Sequence, residues 1–315
     1  MTMHRAHTGS GIFGALALAA AAALALAPGC KKPDAGGEPA QDKLVIQNSG
    51  SDTMVNLAQM WAEEYQQVAP GVTVEVGGGG SGVGIRDLMQ GIVHIANASR
   101  KMKDSEKAQA RNNTGKEPIE WIAGYDAMAI YAHKDNPVEQ LTIAQLADVY
   151  GEGGETEKWS QLGVNLGDAS DEIVRVSRQN SSGTYFFFRE HVLNKRDFEL
   201  GSRDMSGSKD VVELVGKTRG AIGYSGMGYK IDAVKFVKIA KAEGEQAWEP
   251  SLANVNSGNY SLARPLQMYT LGQPTGHVKA YLDWIMSPSG QKIVEQSGYI
   301  PIGAAETGKQ IVEAK

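Results

Sequence analysis

Three short segments of this sequence could hold a tetrahedral anion. They are residues 49–53, 77–84 and 180–184, all rich in Gly, Ser and Thr, and Arg178 leads into the third. The hydroxyls of Thr53, Ser81, Ser182 and Thr184 can donate hydrogen bonds, and glycine lets backbone N–H groups come close to a ligand. Each segment follows a strand-like run and opens a helical one. A helix start gathers unpaired N–H groups and the positive end of the helix dipole. One such loop is an ordinary serine or threonine cap. Three in one chain, one of them with an arginine, predict donors converging on an oxyanion.

The surrounding elements read as strand, loop, helix, repeated. Leu44, Val45 and Ile46 form a short apolar run that suits a buried parallel strand. A helix is predicted over 54–67, with Met54, Leu57, Ala58, Trp61 and Tyr65 on one face. Residues 72–76 alternate as a strand, and Ile85, Leu88, Met89 and Ile92 mark the next helix. Residues 93–96 are a further strand, with His94 inside the core. The long apolar stretch 119–133 reads as extended chain passing between lobes. Helices are predicted over 141–150, 185–193 and 278–296, the last interrupted near Pro288, and strands over 173–176 and 220–224. The alternation predicts an α/β fold with mostly parallel sheets. Trp61 and Trp159 are expected in the core.

Bulk properties narrow the function. A length of 315 residues suits two domains, and a net charge of −5 with no basic block argues against nucleic acid. The six histidines show no metal-ligand spacing, so neither metal nor cofactor is expected. The glycine run 77–84 lacks the Lys-Ser/Thr of a nucleotide phosphate loop, and Gly216-Lys217-Thr218 lacks its leading glycine at Val211. No GxSxG elbow surrounds Ser182, so a binding protein is expected rather than an enzyme; a phosphate-ester hydrolase is the alternative in that class. Residues 1–29 read as an export signal: Arg5 precedes an Ala/Leu run over 15–27, and Ala27-Pro28-Gly29-Cys30 is similar to a lipobox. Cys30, the lone cysteine, is then the lipidated mature N-terminus, with 30–43 a flexible tether and the protein held at the cell envelope outside the cytoplasmic membrane.

In order and spacing, GSDTM (50–54), GGGGSGVG (77–84), IANASR (95–100), RQNSSGT (178–184), GAIGY (220–224) and SPSGQKIVEQSGYIP (287–301) are similar to the phosphate-binding proteins of bacterial phosphate ABC transporters. LTIAQLADVYGEG (141–153) with KWSQLG (158–163) adds to the resemblance. These belong to the type II periplasmic binding proteins. The resemblance implies two lobes, 44–125 plus 266–315 and 126–265, joined by segments near 122–129 and 264–269. It implies a monomer that closes on phosphate and delivers it to a membrane permease. Carried onto this chain, the ligands are the Thr53 hydroxyl, the Met54 N–H, the Ser81 hydroxyl, Arg178 as a bidentate cation, the Ser182 and Thr184 hydroxyls and the Gly183 N–H.

The sequence departs from the family at two functional positions. Ser99-Arg100 stands where the best-known members carry an aspartate that accepts the proton of hydrogen phosphate. Ser99 and Arg100 therefore join the candidate ligands, and Asp52 is a candidate acceptor or a helix cap. Asn180 stands where an aspartate is expected to buttress Arg178. Sulfate or molybdate is the alternative ligand, and phosphate sensing is the alternative role.

Overall fold

A computed structural model describes residues 44–303. The export signal, Cys30 and the tether lie outside the described residues. The chain opens with β1 (Leu44–Gly50), α1 (Val55–Val68), β2 (Val72–Gly77), α2 (Ser81–Met89), β3 (Ile95–Ala98) and α3 (Asp104–Thr114). β1 lies between β2 and β3 and is parallel to both. Ile46 is buried in its middle, and α1 lays Leu57, Ala58, Trp61 and Tyr65 on the same core. The i, i+4 spacing of Leu57, Trp61 and Tyr65 makes that apolar stripe.

β4 (Pro118–His133) comes next, followed by β5 (Gln140–Thr142) and α4 (Ile143–Tyr150). Then come β6 (Val174–Arg178), α5 (Gly183–His191), β7 (Arg203–Met205), α6 (Ser208–Lys217), β8 (Ala221–Gly226) and β9 (Val234–Ala240). The chain returns through α7 (Leu252–Asn256), β10 (Ala263–Leu271), α8 (Gly276–Met286) and α9 (Pro288–Gln296). The break between α8 and α9 falls at Pro288, as expected: Ser287 caps α9 and Pro288 occupies its first turn.

The strand order is β2-β1-β3-β10-β4-β8-β6-β7, with β9 on β4 and β5 on β9. The strands of the two wings pair in parallel. Among the named strands of the described residues, every antiparallel pairing involves β4 or β10. These two run side by side across the middle of the sheet. β4 pairs with β10 over its first part and with β8 and β9 over Met128 to His133. The stretch expected to be extended is thus one strand of 16 residues, about 50 Å long.

Trp61 and Trp159 are fully buried, one in each wing. The Trp61 Nε1–H donates to the Gly290 carbonyl at 2.8 Å, which ties α1 to α9. His94 differs from expectation: β3 begins at Ile95, and His94 is exposed with its Nδ1 accepting from the Gln47 N–H. Among the described residues no helix is long and apolar enough to cross a membrane.

Candidate anion-binding site

The three Gly/Ser/Thr loops follow β1, β2 and β6 and meet at one place. Carboxyl ends of parallel strands are where open α/β sheets bind ligands. Thr53, Ser81, Ser99, Arg178, Ser182 and Thr184 are each at most 1% exposed. The Thr53 and Thr184 hydroxyl oxygens lie 2.9 Å apart, and the Gly82 N–H donates to the Ser181 carbonyl at 2.9 Å. The Ser99 N–H donates to Ser81 Oγ at 3.0 Å, and the Ser51 hydroxyl donates to Ser99 Oγ at 3.0 Å. A Cβ at Gly183 would stand 2.3 Å from Ser81 Oγ and 2.5 Å from Ser99 Oγ, so only glycine fits there.

The helix starts are not used up by capping. α1 and α2 have no side-chain cap, which leaves the Thr53 and Ser81 hydroxyls to other partners. α5 is capped by Ser182, whose oxygen accepts from the Thr184 and Tyr185 N–H groups. That contact uses lone pairs and keeps the Ser182 proton available for donation.

Arg178 extends from the end of β6 into this cluster. Its Nη1 donates to Ser208 Oγ at 3.0 Å, and its Nη2 donates to Asp52 Oδ2 at 2.9 Å and the Ser206 carbonyl at 3.1 Å. Its Nε–H is buried and has no protein partner. Asp52 also accepts the Gly79 N–H at 2.8 Å. Burial pushes the Asp52 carboxyl above its ordinary range, against the pull of the Gly79 N–H and of Arg178. Burial likewise lowers the Arg178 guanidinium, while Asp52 opposes that shift.

Three expected residues are placed otherwise. Arg100 pairs with Glu106, to which Nη1 and Nη2 each donate at 2.8 Å, and with the Lys101 carbonyl, while its buried Nε–H has no protein partner. Its guanidinium also lies 5.1 Å from the Phe186 ring centre. The Met54 N–H closes a turn onto the Ser51 carbonyl at 2.9 Å. Asp52 neither caps α1 nor stands free as an acceptor; it buttresses Arg178 in place of residue 180.

Two site residues were absent from the sequence reading. Asp126 on β4 and Arg264 on β10 are directly opposite in register. Arg264 donates to Asp126 Oδ2 from Nε at 3.0 Å and Nη2 at 2.8 Å, and from Nη2 to Thr184 Oγ1 at 3.0 Å. Burial raises the Asp126 carboxyl against the pull of Arg264 and of the Met227 N–H.

The sequence profile of the PBP superfamily domain matches residues 34–289. Over 279 residues the chain is 36% identical to the phosphate-binding protein PstS of Pseudomonas aeruginosa, a match that covers 85% of this chain and 86% of that protein. The chain belongs to the phosphate-binding protein family. Its fold agrees with solved structures of similar proteins. A Clostridium perfringens substrate-binding protein, assigned to a phosphate ABC transporter and crystallised with phosphate bound, is 30% identical with a TM-score of 0.71; the match covers 82% of this chain and 100% of that one. An ABC-type phosphate transport receptor from Vibrio cholerae is 28% identical with a TM-score of 0.64, again over 82% of this chain and 100% of that one. The α/β architecture with crossing strands is therefore the type II periplasmic binding fold.

Proposed function

We propose that this protein binds inorganic phosphate among Thr53, Ser81, Ser99, Arg178, Ser182, Gly183 and Thr184 and delivers it to the membrane permease of an ABC importer. The observation that carries this reading is the buried Nε–H of Arg178. It has no protein partner and belongs to a guanidinium set among hydroxyls that can donate. A buried unsatisfied donor calls for an acceptor, and an oxyanion supplies several. The Pseudomonas aeruginosa relative, a phosphate-binding protein by name, and the phosphate-bound Clostridium perfringens structure support the same ligand. The Met54 N–H lies in a turn, and Arg100 is paired with Glu106 although its Nε–H, like that of Arg178, is buried without a protein partner, so the reading gives these two residues a lesser part than Arg178.

The lobes are 44–125 with 266–315 and 126–265, and β4 and β10 carry the hinge between them. The open form exposes the loops of each lobe, and phosphate bridges them and shifts the population to the closed form. The protein acts outside the cytoplasmic membrane as a monomer anchored by lipid on Cys30, with 30–43 as the tether. The reading is one of binding: Ser182 Oγ takes its hydrogen bonds from the Thr184 and Tyr185 N–H groups, and the Pseudomonas aeruginosa relative is a phosphate-binding protein by name.

One observation favours a second reading. Ser99 replaces the acidic proton acceptor, and a hydroxyl both donates and accepts. With a hydroxyl in place of a carboxylate at position 99, the site lacks at that point the repulsion that rejects sulfate. Calorimetry on the full chain, purified in mild detergent and stripped of ligand by unfolding and refolding, separates the two. Phosphate and sulfate are titrated at pH values on either side of the second phosphate pKa. Binding of phosphate alone supports the phosphate reading; comparable sulfate heat, or silence with phosphate, overturns it.

A further inference from the structure

The Arg264 guanidinium sits where the halves of the site meet, and its donors are nearly all accounted for. Nε and one Nη2 hydrogen go to Asp126 Oδ2; Nη1 donates to the Ser99 carbonyl at 3.2 Å. The remaining Nη2 hydrogen faces Thr184 Oγ1 at 3.0 Å and Thr53 Oγ1 at 3.4 Å. Arg264 is 2% exposed and Asp126 is 0% exposed. The Phe187 ring centre lies 5.2 Å from the guanidinium carbon. One side chain on a crossing strand thus touches the loop before α1, the segment after β3 and the first turn of α5.

This geometry fixes the polarity of the two threonines. A guanidinium only donates, so each threonine oxygen facing it must offer a lone pair. Each hydroxyl keeps one proton. The 2.9 Å contact between Thr53 and Thr184 can use only one of the two protons. The other must go to a third group, and a phosphate oxygen is an acceptor suited to it. We propose that Arg264, held by Asp126, is a positioning residue that fixes the polarity of the Thr53–Thr184 pair so that one of its two hydroxyl protons is donated to the bound oxyanion. Asp126 also cancels the Arg264 charge, as Asp52 cancels that of Arg178. The anion is then met mainly by oriented dipoles. A lysine cannot serve at 264, because an ammonium has no planar fork to span Asp126, the Ser99 carbonyl and both hydroxyls.

The inference rests on the phosphate reading, so the parent protein is titrated first: if it gives no phosphate heat, that reading fails before this one is tested. With parent binding in hand, Arg264→Lys, Thr184→Val and the double variant are titrated with phosphate. Each single change is expected to weaken binding about tenfold or more. The double variant is expected to lose little beyond the weaker single one, because the two residues act as a unit. Parent-like affinity in Arg264→Lys, or a double loss equal to the product of the single losses, overturns the assignment. Should Arg264→Lys fail to fold, the charge-balanced exchange Asp126→Asn with Arg264→Gln replaces it. That exchange leaves the net charge of the site unchanged, so a loss of about tenfold reports positioning and an undiminished affinity refutes it.

Discussion

Asp52 and Arg178 meet at 2.9 Å although 126 positions separate them in sequence. The pair joins the loop after β1 to the end of β6, so it spans the two wings of the sheet. A local aspartate at position 180 would orient the arginine from its own loop. Here the orientation comes from the opposite loop, and it exists only while the loops are together.

Removing the carboxylate leaves a buried cation without its counter-charge. Asp52→Asn is therefore expected to lower unfolding stability by about 3 kcal/mol, near the low end for breaking a buried pair. It should also weaken phosphate binding, since Arg178 loses its orientation. Urea unfolding followed by calorimetry measures both; unchanged midpoints would mean that the pair holds nothing in place.

Arg178→Ala removes the cation itself. Phosphate affinity should fall by about 2–3 kcal/mol, the scale of a charged hydrogen-bond pair in a dry site. Titration of the folded variant tests this, and an affinity equal to the parent's takes Arg178 out of the site.

Gly183→Ala puts a methyl group 2.3 Å from Ser81 Oγ. The loops can then no longer approach. The expected result is loss of phosphate binding with little change in far-ultraviolet circular dichroism, because the added carbon points between loops rather than into either core. Retained tight binding would show that the loops bind without this contact.

Acid stability should depend on Glu106. Burial acts to raise its carboxyl, but Arg100 and the Lys103 N–H outweigh it and hold the group below its ordinary value of 4.5. A lowered folded value means stability that is present above the unfolded value and lost as pH falls through the folded one. Glu106→Gln should melt earlier than the parent at neutral pH, with the two curves converging as the pH drops below that value. Asp52 and Asp126 are shifted upward and act in the opposite sense, yet both remain in parent and variant and cancel in the difference. Melting curves that stay parallel down the acid limb would contradict the assignment.

Much of this site is legible in residue types. Glycine and serine at strand ends, followed by apolar residues at helical spacing, mark the loops at 49–53, 77–84 and 180–184 without any tertiary information. The partners of the arginines are not legible in the same way. Arg264 and Asp126 each lie in extended runs, and only the antiparallel register of β4 with β10 makes them neighbours. The pairing of Arg100 with Glu106 is equally hidden, because it depends on α3 bringing Glu106 within reach. α3 itself was missed because it buries only Ala110 and so has no apolar stripe; its acidic first turn, Asp104 and Glu106, was the available sign. The tight turn that takes the Met54 N–H onto the Ser51 carbonyl leaves no trace in residue type at that position.

β4 is one strand of 16 residues hydrogen-bonded into both wings of the sheet, with a single register shift against β10 at Ala123. Neither wing can melt without stripping hydrogen bonds from a strand the other depends on. The folded region should therefore denature in one calorimetric transition, although its shape invites two. The amides of Met128 to Ala132 should exchange with solvent only through global unfolding, which makes them the slowest to take up deuterium.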